Sequence, residues 1–211
     1  MANNMTEEKT VQPYEIGELD QYLFGNGTHY ELYKKMGAHL VTVDGVKGVY
    51  FAVWAPHAKS VSVIGEFNEW DLNADMMQRH DPMGIYTKFV PGAKEGQLYK
   101  FCIETQNGAK IDKADPFANY AELRPGNASR ITDISNLKWS DSSWMKKREK
   151  WDEKTNPMSI YEVHMGSWMR HPGREDEGFY TYREFAERIT EYVKDMGYTH
   201  VELMGISEYP Y

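Results

Sequence analysis

The sequence contains a single cysteine, Cys102, among its 211 residues. An internal disulfide is therefore impossible, and the neighbouring Phe101 and Ile103 predict a buried, inert thiol. The chain also lacks a run of about 18 apolar residues, the length that crosses a bilayer, and an apolar stretch of the signal-peptide kind near its N-terminus. We therefore expect a soluble, cytoplasmic protein without a membrane partner.

Basic residues are scarce as well. The 24 lysines and arginines are outnumbered by 32 aspartates and glutamates, which gives a net charge of −8. Nucleic-acid phosphates require a basic surface, so a nucleic-acid partner is not expected. The seven histidines are dispersed, one cysteine cannot build a thiolate site, and the glycines lack the spacing of a phosphate-binding loop. The sequence accordingly predicts no metal and no cofactor.

Aromatic residues, by contrast, are plentiful, at 14% of the chain with 6 Trp and 15 Tyr. Aromatic side chains most often fill hydrophobic cores. Their flat faces also suit the C–H-rich faces of sugar rings. Composition alone favours the first interpretation for any single tryptophan and leaves the second one open.

Short apolar runs separated by turn residues dominate the first two thirds of the chain, which is typical of a mainly β protein. The predicted strands are residues 49–54, 60–65, 84–90, 98–104, 109–111 and 129–132. The Asn107-Gly108 pair predicts a two-residue hairpin between the fourth strand and the fifth. These runs favour an immunoglobulin-like antiparallel β-sandwich over residues 38–134. A tail and a helical segment occupy residues 1–37, where Thr28 and Glu31 form a predicted capping box and Gly37 a predicted helix stop.

The last third has a different pattern. Residues 135–157 are polar but carry three tryptophans, so we expect an ordered connector packed against both of its neighbours. Over residues 158–211 a strand at 159–165 is followed by a helix with a Thr181/Glu184 capping box and a stop at Gly197, and then by a strand at 199–204. This order predicts the first parallel β-α-β unit of a (β/α)8 barrel. A full barrel needs about 250 residues, so we expect it to be incomplete here.

Three motifs carry a resemblance to a known family. They are residues 51–56 (FAVWAP), 61–71 (VSVIGEFNEWD) and 96–101 (GQLYKF). Together they resemble the starch- and glycogen-binding β-sandwich module that precedes the barrel in the α-amylase superfamily. The resemblance implies that Trp70 stacks on a glucose ring and that Lys100 binds sugar hydroxyls. Relatives often carry a second stacking tryptophan where this chain has Ala109 and Lys110.

The barrel region resembles a narrower group. Residues 158–168 (MSIYEVHMGSW), 182–186 (YREFA) and 196–204 (MGYTHVELM) are similar to bacterial glycogen branching enzymes. The chain departs from them where Gly205 replaces a usual proline and Tyr209 a usual histidine. The resemblance implies an α-glucan partner and an enzyme that moves a cleaved α-1,4-glucan segment to a 6-hydroxyl, forming an α-1,6 branch. The alternatives are a non-catalytic glycogen-binding module, or part of a debranching or trehalose-releasing hydrolase.

No catalytic residue is assigned within this chain, and we expect it to be inactive alone. His164 could act as an acid or base, but superfamily chemistry uses carboxylates, so a structural role is favoured. Glu162 and Glu202 resemble the paired carboxylates of glycoside chemistry. The superfamily's catalytic motifs occur on later strands, however. We therefore predict that both glutamates are buried structural partners of His164 or His200.

Overall fold

The computed structural model describes residues 12–174 and 178–206. The chain forms two compact units, the first ending at Asn136 and the second beginning at Leu137. In the described ranges, no helix has both the length and the apolar character needed to cross a membrane. Position 209, one of the departures from the branching-enzyme motifs, lies outside the described residues.

The first unit opens with the helix α1 (Glu18–Gly25) and a single 3₁₀ turn (Leu32–Lys34). The predicted helix that starts at Thr28 is therefore wrong. The Thr28 hydroxyl donates to the Leu23 carbonyl (3.4 Å) and so ties this residue back to α1. The 3₁₀ turn is preceded by Glu31, which has no side-chain cap bond.

Asp20 of α1 explains why the chain turns back at this point. Its carboxylate lies 2.9 Å from His29 Nε2 and 3.1 Å from Lys35 Nζ, and it accepts a hydrogen bond from the Gly17 N–H (2.8 Å). These side chains are mostly buried. Contacts across nine to fifteen residues thus override the local capping pattern between Thr28 and Glu31.

Two antiparallel sheets form the body of the first unit, as predicted. One has the strand order β1-β2-β5-β4, and in the other β6 pairs with β3, β7 and β8. The strands are β1 (Gly37–Val43), β2 (Val46–Trp54), β3 (Ser60–Gly65), β4 (Gln78–His80), β5 (Ile85–Pro91), β6 (Leu98–Glu104), β7 (Lys110–Lys113) and β8 (Ser129–Arg130). The predicted bounds of β3 and β6 are confirmed, whereas the sequence pattern missed β1 and β4.

The main core lies between the two sheets. It contains Phe51 of β2, Val63 of β3, and Tyr99 and Phe101 of β6, all with exposures near zero. The intervening β2 residues Tyr50 and Ala52 belong to a second cluster, which includes Ile16 and Met36 from the N-terminal segment. Strand β2 is therefore buried on both faces, which accounts for its uninterrupted apolar sequence.

The turn at Asn107-Gly108 differs from the prediction. The Thr105 N–H donates to the Ala109 carbonyl (2.9 Å), and the Gly108 N–H donates to the Thr105 carbonyl (2.9 Å). Three residues therefore lie between this bonded pair. Gly108 has φ +83°, as expected of a three-residue loop that ends in a left-handed position.

The second unit contains the helix α2 (Ser142–Arg148), strand β9 (Ile160–His164), the one-turn helix α3 (Met165–Trp168), helix α4 (Tyr182–Asp195) and strand β10 (His200–Met204). Strands β9 and β10 are parallel, as predicted. The capping box is also confirmed. The Thr181 N–H donates to Glu184 Oε2 (2.8 Å), and the Glu184 N–H donates to Thr181 Oγ1 (3.3 Å).

Helix α4 covers one face of the β9–β10 pair. Val163 packs there with Tyr180, Phe185 and Ile189 to form the core of the second unit. Alternate residues on a strand point to opposite faces, so Glu162 and His164 lie on the other side of β9.

The prediction that Glu162 and Glu202 are buried is wrong. They are register partners in the parallel ladder, and both side chains are exposed, as are those of His164 and His200. His164 Nδ1 lies 3.2 Å from the Ser167 hydroxyl, and His200 Nδ1 lies 2.8 Å from that of Thr199. The two histidines therefore have hydroxyl groups as hydrogen-bond partners and not the expected glutamates.

The region predicted as a connector contains α2. Trp151 lies edge-on to the His200 ring, with centroids 6.0 Å apart. Trp139 and Trp144 are largely exposed.

Candidate functional site

The loop after β3 carries Trp70 and is held in shape by Asn68. The Asn68 Oδ1 atom accepts from the Gly65 N–H (2.9 Å), while Nδ2 donates to the Val63 carbonyl (3.0 Å) and to Asp75 Oδ2 (2.8 Å). One amide side chain therefore joins both ends of the loop. The backbone N–H of Trp70 closes the loop by donating to the Gly65 carbonyl (2.9 Å).

Backbone strain is concentrated at the tip of this loop. Glu69 has φ +53° and Trp70 has φ +61°, and neither is a glycine. Left-handed backbone costs on the order of 1 kcal/mol or more for such residues. The surrounding hydrogen bonds maintain this conformation, which holds Trp70 with 38% of its surface exposed. An exposed tryptophan on a strained, fixed loop is typical of a preorganised contact surface.

Lys100 lies on the neighbouring strand, β6, where Ile64 is its register partner. The Lys100 ammonium donates to Asn127 Oδ1. Asn127 is itself exposed, so the pair offers an ammonium and an amide at the surface. Asn127 could not be identified from the sequence, because the pairing of β6 with β8 brings this distant segment beside Lys100.

Trp70 and Lys100 belong to the same end of the β3–β6 pair. Gly65, which binds the Trp70 backbone, is the register partner of Tyr99. In addition, Glu66 Oε2 accepts from the Leu98 N–H (2.9 Å) and so ties the loop to β6. A Cβ atom on Gly65 would lie 2.4 Å from the Leu98 carbonyl oxygen, so this close approach requires glycine.

A buried polar group supports this end of β6 from inside the sandwich. The Tyr99 hydroxyl donates to Asp115 Oδ2 (2.6 Å), the Phe117 N–H donates to Asp115 Oδ1 (2.8 Å), and the Asp115 N–H donates to Ser129 Oγ (2.8 Å). Burial raises the pKa of Asp115 to about 6, although the Tyr99 and Phe117 hydrogen bonds oppose the shift. Burial likewise raises the pKa of Tyr99 well above its usual value.

The exposed groups provide one flat apolar face, an ammonium and an amide, a combination that fits a neutral polyhydroxylated ligand. The positions where relatives often carry a second stacking tryptophan are exposed here but hold Ala109 and Lys110. Among residues 12–174 and 178–206, no group of three or more His, Cys, Asp or Glu side chains is arranged to hold a metal ion.

Residues 35–118 match the family model of carbohydrate-binding module 48, described as the isoamylase N-terminal domain. The matched range covers β1 to β7, so this part of the chain is similar to that family of modules.

The whole chain is similar to curated enzymes. It is 57% identical over 196 residues to the 1,4-α-glucan branching enzyme GlgB of Butyrivibrio fibrisolvens, a match that covers 93% of the chain and 31% of the relative. It is 50% identical over 209 residues to GlgB of Rhodopirellula baltica, with 97% and 28% covered. The chain therefore spans about three tenths of the length of these relatives. The resemblance to branching enzymes that the motifs indicated is confirmed.

Solved structures with the same fold are more distant in sequence. The catalytic module of the glycogen-degrading pneumococcal virulence factor SpuA matches with a TM-score of 0.58 at 21% identity, over 84% of this chain and 27% of that one. The pullulanase from Bacillus acidopullulyticus matches with a TM-score of 0.59 at 22% identity, over 82% and 22%. These likenesses show the fold alone.

Proposed function

We propose that this chain is the N-terminal part of a 1,4-α-glucan branching enzyme. The complete enzyme cuts an α-1,4-linked chain through a covalent glycosyl-enzyme intermediate and passes it to a glucose 6-hydroxyl. The observation that carries the proposal is the 57% identity to a GlgB enzyme over nearly the whole chain. The glycogen-degrading and pullulanase structures are similar at only 20–22% identity, so the hydrolase alternative has weaker support.

The proposed organisation follows the sequence divisions. Residues 1–37 form the leading segment, 38–134 the carbohydrate-binding sandwich, 135–157 the connector and 158–211 the start of the catalytic (β/α)8 barrel. Support comes from the parallel β9–β10 pair with α4 on one face, which is the repeating unit of such barrels. In a barrel, the face that carries Glu162 and Glu202 points inward.

In the sandwich, the proposed ligand is an α-glucan. The Trp70 ring stacks on a glucose face, while Lys100 and Asn127 bind hydroxyl groups. The support for this assignment is the strained loop that exposes Trp70, together with the Lys100–Asn127 pair at the same end of the β3–β6 ladder. One stacked aromatic ring contributes about 1–3 kcal/mol, by analogy with base stacking, so the module binds weakly.

We further propose that the chain alone does not catalyse branching. Retaining chemistry needs one carboxylate as nucleophile and another as acid, flanking the bond that breaks. Glu162 and Glu202 instead lie side by side on adjacent strands and project from the same face of the sheet. They would approach a sugar from one side only.

An iodine-stain assay on amylose tests the branching proposal. We expect this chain to leave the iodine stain of amylose unchanged. When its coding sequence is extended to the length of the relatives, we expect the long-chain stain to be lost and new α-1,6 linkages to form. Release of reducing ends without new branches by the extended protein would favour a hydrolase. Branching by the chain alone would contradict the proposed absence of catalytic groups.

A glycogen affinity gel tests the sandwich. We expect Trp70→Ala to lower the retardation of the chain, with an affinity loss of about fivefold to a hundredfold from one lost stack. Trp139→Ala is the matched control, because Trp139 is more exposed than Trp70 and belongs to the second unit. Equal retardation of the wild type and the Trp70 variant would remove Trp70 from the site.

A further inference from the structure

The connector contains aromatic surface that the proposed function does not use. Trp139, Trp144 and Trp151 expose 76%, 57% and 38% of their surfaces. A tryptophan is a large apolar side chain, and leaving three of them exposed over 13 residues forfeits burial that would stabilise the fold. Exposed aromatic clusters of this kind mark binding surfaces.

Two of these tryptophans line a cavity of about 520 Å³. This volume lies within the range of small-molecule sites, roughly 300–1,000 Å³. The lining residues are Trp144, Lys147, Arg148, Trp151, Glu153, Thr199 and His200. All of them belong to the second unit, and Trp139 is not among them.

Local hydrogen bonds hold the walls of the cavity in place. The backbone N–H of Trp151 donates to the Arg148 carbonyl (3.0 Å) and so continues the turn beyond α2. On the opposite wall, the Thr199 hydroxyl donates to the Ser159 carbonyl (2.9 Å) and joins the starts of β9 and β10. Each wall is therefore held in shape by its own backbone contacts.

The polar groups of the cavity point to a neutral, hydrogen-bonding ligand. The Arg148 guanidinium lies 5.6 Å from the centroid of the Trp144 ring, and the Trp151 ring lies edge-on to His200. Lys147 and Arg148 supply donors, whereas Glu153 supplies an acceptor that would repel a phosphate or carboxylate. Flat rings combined with both donors and acceptors suit the C–H faces and hydroxyls of a sugar.

We propose that this cavity is a second α-glucan-binding site, separate in sequence from the Trp70 site of the sandwich. Trp144 and Trp151 contact sugar faces, while Arg148, Glu153 and His200 bind hydroxyls. The choice of an α-glucan as the sugar rests on the proposed function, whereas the preference for a sugar comes from the cavity itself.

The test uses the whole chain labelled with 5-fluorotryptophan and observed by fluorine NMR. The chain has six tryptophans, so each resonance can be assigned by a single Trp→Phe variant. Maltoheptaose is the probe, and cellohexaose, which has β-linkages, is the control for specificity. We expect the Trp144 and Trp151 resonances to shift in a saturable manner, while that of Trp139 stays unchanged.

Variants separate direct contact from indirect effects. We expect Trp151→Ala to lower the maltoheptaose affinity measured from the Trp144 resonance at least fivefold. The affinity measured from the Trp70 resonance should stay unchanged. Should that variant fail to fold, Trp144→Ala, which removes a more exposed ring, gives the reciprocal measurement on Trp151. Trp139→Ala is the control for loss of an exposed connector tryptophan.

The outcomes distinguish the two proposals. A shift at Trp70 alone overturns the second site and leaves the proposed function standing. Shifts at Trp144 and Trp151 without one at Trp70 support the second site and contradict the role of Trp70. If no tryptophan responds to maltoheptaose, both proposals fail. Equal responses to maltoheptaose and cellohexaose would overturn the assignment to α-glucans.

Discussion

At the scale of single residues, Asp115 is the most unusual group in the sandwich. It is a carboxylate enclosed by Tyr99, Phe117 and Ser129, and its pKa is raised to about 6 because burial penalises the charged form. The folded protein therefore keeps a proton on Asp115 at pH values where the unfolded chain has already released it. Stability from this group is complete below about pH 4 and is lost as the pH rises towards 6.

We expect Asp115→Asn to remove this pH dependence. An asparagine retains an oxygen that can accept from the Phe117 N–H, and it stays neutral at every pH. Between pH 4 and pH 7, the free energy of unfolding of the wild type should fall relative to the variant by on the order of 3 kcal/mol. Urea unfolding of both proteins across this range, followed by circular dichroism, measures the difference.

Asp133 provides a control of opposite sign. Its pKa is lowered because the Ser135 hydroxyl and backbone N–H bond to the charged carboxylate. Stability from Asp133 is therefore lost as the pH falls, and Asp133→Asn should flatten the acid side of the curve. Identical pH profiles for the wild type and Asp115→Asn would contradict the account of Asp115.

At the scale of secondary-structure elements, a strand could be predicted from the sequence where an apolar run was closed by turn residues. The bounds of β3 and β6 agree with the prediction because each run ends at a residue that breaks the pattern. Strand β1 was missed because its sequence, with Gly37 and His39 among its first residues, lacks a clear alternation. It is a strand because seven of its residues pair with β2, a tertiary contact that local sequence does not encode.

The two capping boxes show the limits of local rules. The Thr181/Glu184 box forms, and a 14-residue amphipathic helix follows it. The Thr28/Glu31 box does not form, because the next residues place Lys35 beside Asp20 and His29 also turns back to it. A capping signal determines a helix only when the residues that follow can bury one face along its length.

The elements of the candidate site were predictable to different degrees. Family motifs identified Trp70 and Lys100, since both lie within continuous segments of the chain. Asn127 could not be identified in this way, because it reaches Lys100 through the pairing of β6 with β8. The three tryptophans of the connector predicted packing against its neighbours and did not indicate a cavity at Trp144 and Trp151. Its other wall, at Thr199 and His200, comes from a strand start almost fifty residues further on.

At the scale of the whole molecule, the chain consists of two units with separate cores of unequal size. The first unit contains two clusters of buried residues, one between the sheets and one on the outer face of β2. The core of the second unit consists of four buried residues, namely Val163, Tyr180, Phe185 and Ile189. Buried apolar area is the main source of folding stability. The second unit should therefore have the smaller free energy of unfolding, since it also exposes apolar side chains such as Leu203 and Met204 on β10.

We expect the chain to unfold in urea in two steps, with the second unit first. Pulsed hydrogen exchange with peptide-level mass spectrometry reports on each unit separately. Thr181→Ala removes the cap of α4 and should lower the stability of the second unit by about 1 kcal/mol, whereas Thr181→Ser keeps the hydroxyl and should change it less. Asp115→Asn should move only the transition of the sandwich. One coincident transition, shifted equally by Thr181→Ala and Asp115→Asn, would contradict the presence of two cores that unfold separately.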